Sequence, residues 1–205
     1  MILRVHPDNP EKHKIKSIVA SIKNGSIVII PTDSVYAIAC DLYNKKAVER
    51  ICIIKGIKPR DANFSLLCAD LSNLSDFTLN LSKTIFKVLK RNLPGPFTFI
   101  LNANNNVPKI FDNKKKTIGI RVPEDNIARA IINELGNPIV VTSLKNKDDK
   151  LIEYMIDPDD IHNKFENLVD LVIDGGTGNV TPSTIVDCQS DNINILRQGK
   201  GELNY

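Results

Sequence analysis

The sequence predicts an α/β (α+β) fold: one twisted mixed sheet flanked by helices. Apolar residues at helical spacing alternate along the chain with short, continuous apolar runs of strand length. The strands are many and short, and they do not follow the strict β-α-β rhythm of a plain doubly wound fold. With 205 residues, 42% hydrophobic and 25% charged, the chain can bury one sizeable core and is expected to form a single domain over 1–205.

The elements follow in order. Ile15, Ile18, Val19 and Ile22 repeat at helical spacing, and Gly25 stops that helix. SIVIIP (26–31) is a buried strand, Val48, Ile51 and Cys52 mark a second helix ending near Gly56, and Ser65 to Cys68 is a strand again. Leu81, Ile85, Val88 and Leu89 predict a third helix that stops at Pro94-Gly95-Pro96. FTFIL (97–101) and TIGIRV (117–122) are rich in β-branched and aromatic residues. Ile127, Ala130, Ile131 and Leu135 form a helix with Gly136 at its end, followed by the strand PIVVTS (138–143). Asp157-Pro158 is a helix cap with proline at the first helical position, and LVIDGG, STIVDC and NINILR are the last strands. Asn102 to Lys116 and Lys145 to Lys150 are read as surface loops.

Several classes are excluded by composition. No apolar run approaches the roughly 20 residues of a membrane helix, and the N-terminus becomes charged too early for a secretory signal. Cys40, Cys52, Cys68 and Cys188 have no CxxC pair, so free thiols in a reducing, cytoplasmic setting are expected. His6, His13 and His162 lack metal-ligand spacing, no Ser/His/Asp triad is evident, and no tightly bound metal is expected. DGGTGN (174–179) reads as a strand-end turn, because its glycines do not fit a GxGxxG phosphate loop. The net charge of +3 permits an anionic partner without demanding one.

Three regions carry candidate chemistry. In PTDSVYAIACD (31–41), Thr32, Asp33, Ser34 and Tyr36 follow a strand end, where they either hold a ligand or form a capped turn. In KGIKPRDANFSLL (55–67), Lys55, Lys58 and Arg60 crowd a helix end. They serve either the helix dipole or a phosphate clamp. Thr98, Arg121, Thr142 and Ser143 sit on apolar strands. Arg121 demands an anion there, either a protein carboxylate or a ligand. Alternation in TIGIRVP sets Thr117, Gly119 and Arg121 opposite Ile118, Ile120 and Val122, and predicts a guanidinium turned into the main pocket. Lys83, Lys87, Lys90 and Arg91 share one helix face, which is either plain solvated surface or an RNA backbone contact.

These segments together resemble the YrdC/YciO family. PTDSVYAIACD is similar to its PT(D/E)TxYGL opening, and KGIKP stands where it has K-x-R-P. PGPFTFIL resembles PGPxTxxL, IGIRVP resembles (I/V)xxRxP, and VVTSL resembles (V/S)STSAN. PSTIVD (182–187) and ILRQG (195–199) resemble PSTVVD and ILRxG. The motifs keep their order from about residue 10 to residue 200. HPDNP (6–10) and an ending soon after ILRQG resemble the YciO branch, which lacks an extra C-terminal domain.

The resemblance implies a YrdC-like twisted sheet with a concave, basic face. It implies binding of ATP with Mg²⁺ as substrate, L-threonine and bicarbonate, and a nucleotidyltransferase product, threonylcarbamoyl-AMP, used in tRNA modification. Carried over, Thr32, Tyr36, Thr98, Arg121 and Thr142 contact the substrate, with Arg121 on the threonine carboxylate. Lys55 faces the phosphates as the catalytic cation, and Lys58, Arg60, Ser65, Ser143, Ser183 and Arg197 bind the nucleotide. Two positions depart from the pattern: Ile57 replaces the clamp arginine, and Leu144-Lys145 replaces Ala-Asn. The alternative reading is a translation-associated factor binding tRNA or double-stranded RNA through the basic face.

Overall fold

The computed structural model describes residues 1–72, 74–108, 116–145 and 155–205. Ten strands form one mixed sheet: β1 (Ile2–Arg4), β2 (Val28–Ile30), β3 (Ala37–Asp41), β4 (Ser65–Leu67), β5 (Phe97–Asn102), β6 (Thr117–Arg121), β7 (Ile139–Ser143), β8 (Leu171–Asp174), β9 (Thr184–Asp187) and β10 (Asn194–Arg197). Their order across the sheet is β1-β8-β2-β3-β7-β4-β6-β5-β9-β10. β1 and β2 flank β8 in parallel, β4 runs parallel to β6 and β5 to β9, and the remaining neighbours are antiparallel. Among the described residues five α-helices accompany it: α1 (Lys12–Lys23), α2 (Lys45–Ile54), α3 (Lys83–Asn92), α4 (Asn126–Leu135) and α5 (Pro158–Phe165).

Helices α2 to α5 each begin on a capping residue. Asn44, Ser82, Asp125 and Asp157 each accept a hydrogen bond from a first-turn N–H, which satisfies a donor that helix geometry leaves orphaned. Gly136 closes α4 in the left-handed region at φ 84°. Ser82 also donates to Asp191 at 2.5 Å, so it ties α3 to the turn before β10. Ser82→Ala is expected to cost about 1 kcal/mol and to lower the melting temperature by roughly 2–4 °C. A urea titration with an unchanged midpoint would exclude that capping role.

Strand alternation splits the core into two layers. Ile29, Ile38, Cys40, Leu66, Phe99, Ile118, Ile120 and Val140 pack under α2, α3 and α5. Val28, Ile30, Ala37, Ala39, Leu67, Ile139 and Val141 pack under α1 and α4. This second layer ends at β4. Beyond it, the same side of β6, β5, β9 and β10 carries no helix among the described residues. There the sheet presents Gly119, Arg121, Thr98 and Arg197, with Ile100 and Ile185 partly buried beside them.

The sequence reading passed over two strands. β3 was read only as part of a polar motif, yet Ala37–Cys40 is buried on both faces between β2 and β7. β1 lies just before the charged N-terminal stretch and pairs with β8 at the sheet edge. The expected loop from Asn102 starts later, because Asn102 still pairs with Thr117. Most of the predicted loop 145–150, and Lys114-Lys115, lie outside the described residues. The four cysteines are buried free thiols, and burial raises the pKa of each. Among the described residues no helix is long and apolar enough to cross a membrane.

Candidate functional site

The site is organised by the six-residue connection between β2 and β3. The Thr32 hydroxyl donates to the Val35 carbonyl at 2.7 Å and accepts from the Ser34 N–H at 3.1 Å, so the capped-turn reading of Thr32 describes its own bonds. That turn aims Asp33 and Ser34 at β6. Arg121 Nη2 donates to Asp33 Oδ1 and to Ser34 Oγ, each at 2.9 Å. Asp33 Oδ2 accepts from the Glu124 N–H at 3.0 Å. The anion that Arg121 demands is thus a protein carboxylate in a buried pair, with the two side chains 7% and 6% exposed.

One donor of that arginine is left over. Arg121 Nε is buried and has no hydrogen-bond partner among the described residues, which is an unusual and costly state for a charged group. Burial pulls the Arg121 pKa below its ordinary value. Asp33 opposes the shift and nearby Arg197 adds to it, so two guanidiniums lie close enough to repel. Next to them Thr98 Oγ1 and Ser183 Oγ share a 2.8 Å hydrogen bond. Arg197 holds the Ser183 carbonyl through Nη2 at 2.7 Å. Two cations, two buried hydroxyls and an unused N–H in one place form an environment suited to an anionic group.

A cleft of about 360 Å³ opens beside this network, lined by Thr32, Asp33, Tyr36, Glu124, Asp125, the 175–179 loop and Lys200. Tyr36 donates to the Gly176 carbonyl at 2.7 Å and accepts from the Gly175 N–H at 3.2 Å. Burial pushes its phenol up to about 12, so it stays neutral. Burial also raises the Asp125 pKa, against the stabilising bond from the Ala128 N–H. A more apolar cavity of about 490 Å³ lies beside Leu79, Leu81 and Phe86, and among the described residues Lys83 is its only titratable lining residue.

The structure does not gather every candidate residue here. Lys55 Nζ donates to the Ser143 carbonyl at 2.9 Å and to the Lys145 carbonyl, so it braces the end of β7. Lys58 and Arg60 are exposed, and the ion partner of Arg60 is neighbouring Asp61 at 3.9 Å. Ile57 packs against the core, and Leu144 is buried in it. Thr142 pairs with Ile38 and Ser143 with Ala37, so these successive residues face opposite sides of the sheet. Ser65 stands beside Gly119 on the helix-free side. Lys200 has no signal in the sequence beyond its flanking glycines, and Asp33 and Ser34, expected either to hold a ligand or to cap a turn, instead hold Arg121.

The fold and this site define a YrdC-like protein. Residues 20–199 match the Sua5/YciO/YrdC family, which carries the description "Telomere recombination", and the chain belongs to that family. It is 39% identical over 200 residues to "Uncharacterized protein YciO" of Escherichia coli strain K12, covering 97% of this chain and 95% of that one. The crystal structure of E. coli YciO superposes with a TM-score of 0.90, over 98% of this chain and 97% of that chain. A threonylcarbamoyl-AMP synthase of Vibrio vulnificus strain YJ016 is 27% identical over 192 residues, 90% of this chain and 98% of that protein. P. abyssi Sua5 complexed with L-threonine is 25% identical with a TM-score of 0.87, over 97% of this chain and 57% of that one.

Proposed function

We propose that this protein binds ATP and L-threonine on the helix-free side of its sheet and joins them, with bicarbonate, into threonylcarbamoyl-AMP, more slowly than relatives that keep the full phosphate clamp. The observation that carries this reading is the unpartnered, buried Nε of Arg121 beside Arg197 and the Thr98–Ser183 hydroxyls. A threonine carboxylate on Arg121 would satisfy that N–H, and Arg197 with Ser183 would meet phosphate oxygens. In the reaction, bicarbonate loses hydroxide to give carbon dioxide, and the threonine amine adds to its carbon and releases a proton, which leaves a carbamate and water. A carbamate oxygen attacks the α-phosphorus, the bond to the bridging oxygen breaks, and pyrophosphate leaves with that electron pair. Mg²⁺ enters with the nucleotide as substrate. Positioning and charge stabilisation are what this chain contributes.

The slower rate follows from Ile57 and Lys145, which stand where the family pattern has a clamp arginine and an asparagine. Ile57 packs against the apolar core, so one guanidinium and one side-chain amide fewer meet the charge developing on pyrophosphate. The test is pyrophosphate release from ATP, threonine, bicarbonate and Mg²⁺, with calorimetric binding of each substrate. Release is expected, and Arg121→Lys is expected to reduce it roughly 10- to 100-fold, because an ammonium lacks the planar fork that holds Asp33 through Nη2 while Nε–H points elsewhere. Absence of release together with absence of ATP and threonine binding would overturn the reading.

A further inference from the structure

The last strand ends in a strap that brings a second cation to the site. β10 is irregular between Ile195 and Arg197: Ile195 stands opposite Val186, whereas Arg197 stands opposite Ile185. Val186 belongs to the core under α2, α3 and α5. The extra residue resets the alternation, so Arg197 leaves that side and joins the helix-free one. Beyond it the backbone is fixed. The Gly199 N–H donates to Thr184 Oγ1 at 3.0 Å, the Lys200 N–H to the Pro182 carbonyl at 2.8 Å, and Thr184 Oγ1 to the Gly201 carbonyl at 2.6 Å. A Cβ on Gly199 would collide with the Pro182 carbonyl, and one on Gly201 with the Phe97 ring. The strap is therefore pressed against the body of the protein on both sides of Lys200.

Lys200 itself is exposed and lines the cleft. Its Nζ donates to the main-chain carbonyl of Asp33 at 2.7 Å. Among the described residues it makes no ion pair, although Glu124 and Asp125 line the same cleft. The carboxylate of Asp33 is already committed to Arg121 and the Glu124 N–H. A neutral carbonyl is a weaker partner for an ammonium than an anion is, and holding a lysine side chain still costs rotamer entropy. A rigidly rooted lysine that rests on a neutral acceptor at the mouth of a cleft is placed to be recruited.

We propose that Lys200 is a ligand-binding residue of this cleft, whose ammonium takes an anionic group of the substrate, phosphate or carboxylate. The proposal rests on the nucleotide and amino-acid reading above and adds a residue to it. The test is calorimetry with ATP, AMP, adenosine and L-threonine on the wild type, Lys200→Ala and Lys200→Arg. If the group is a phosphate, Lys200→Ala weakens ATP about tenfold and leaves adenosine unchanged. If it is the carboxylate, threonine weakens about tenfold and the nucleotides do not. In either case Lys200→Arg restores part of the loss, and the melting temperature holds, as expected at an exposed position. Wild-type binding with all four affinities within twofold in Lys200→Ala overturns this proposal alone. An equal loss for every ligand, adenosine included, with a lowered melting temperature reduces Lys200 to a tether for the Asp33 loop and also overturns it. A wild type that binds none of the four overturns both readings.

Discussion

Asp33→Ala is expected to cost about 3–5 kcal/mol, the range for removing one partner of a buried ion pair. For a chain of this length that lowers the melting temperature by roughly 10 °C. Asp33 and Arg121 lie 2.9 Å apart with 6% and 7% of their side chains exposed, so water cannot replace the lost carboxylate. Among the described residues Ser34 Oγ would remain as the sole acceptor for Nη2, and Nε is already without one. Burial lowers the Arg121 pKa even with Asp33 present, and removing the carboxylate removes what opposes that shift. Asp33→Asn keeps an oxygen near the same place and should cost less. Arg121→Leu in the Asp33→Ala background should recover part of the loss by deleting the stranded charge. Urea titrations of the three variants test this. A loss below about 1 kcal/mol in Asp33→Ala would mean that Arg121 finds another anion or water, and would remove the buried pair from the account.

The pair also explains why the β2–β3 connection holds its shape without being a regular element. Thr32 closes the turn internally, Asp33 crosses to β6 and to the Glu124 N–H, and Lys200 Nζ holds the Asp33 carbonyl. Two segments distant in sequence, 121–124 and Lys200, converge on Asp33. Loss of Asp33 should therefore loosen the cleft wall as well as strand Arg121, and the substrate affinities should fall along with the stability.

Local physics made most of the elements legible. The apolar spacing of Ile15, Ile18, Val19 and Ile22 and of Ile127, Ile131 and Leu135 gave α1 and α4, because each helix buries one stripe. The Asp157-Pro158 pair gave the start of α5. β3 was obscured because AIAC is small and apolar on both faces, so it lacks the alternation that marks a half-buried strand. The sheet order was not legible. β4 and β6 are adjacent and parallel although a helix and β5 separate them in sequence. Arg121 could be recognised as a buried cation from its strand, but its partner could not: the chain has 24 acidic residues, and only the three-dimensional crossing of the 31–36 turn selects Asp33. Thr142 and Ser143 were read as one motif, although strand geometry sends them to opposite faces. Lys55 was read as a phosphate ligand by its place in a motif, and its bonds to two carbonyls depend on where β7 ends.

Gly119→Val is expected to abolish substrate binding, lowering affinity at least 100-fold, while costing about 1–3 kcal/mol of stability from overpacking. Gly119 lies on the helix-free floor of the sheet, in register with Ser65 on β4 and Ile100 on β5. A Cβ there would lie 2.5 Å from Ser65 Oγ and 3.2 Å from Thr98 Cγ2. Ser65 can rotate away from a methyl group, but the branched side chain of valine stands up from the floor beside Thr98 and its hydrogen-bonded partner Ser183. Strand propensity favours valine over glycine, so the sheet itself should not be lost. The pairing of Gly119→Val with Ser65→Ala separates the two effects. Removing the Ser65 hydroxyl relieves the clash and should return most of the stability, whereas the valine still fills the floor and binding stays absent. Calorimetry with ATP and threonine, run beside thermal melts of both variants, reads each effect independently. Near-wild-type affinity in Gly119→Val would show that the ligand does not lie over Gly119, and would move the site off the helix-free floor of β5 and β6.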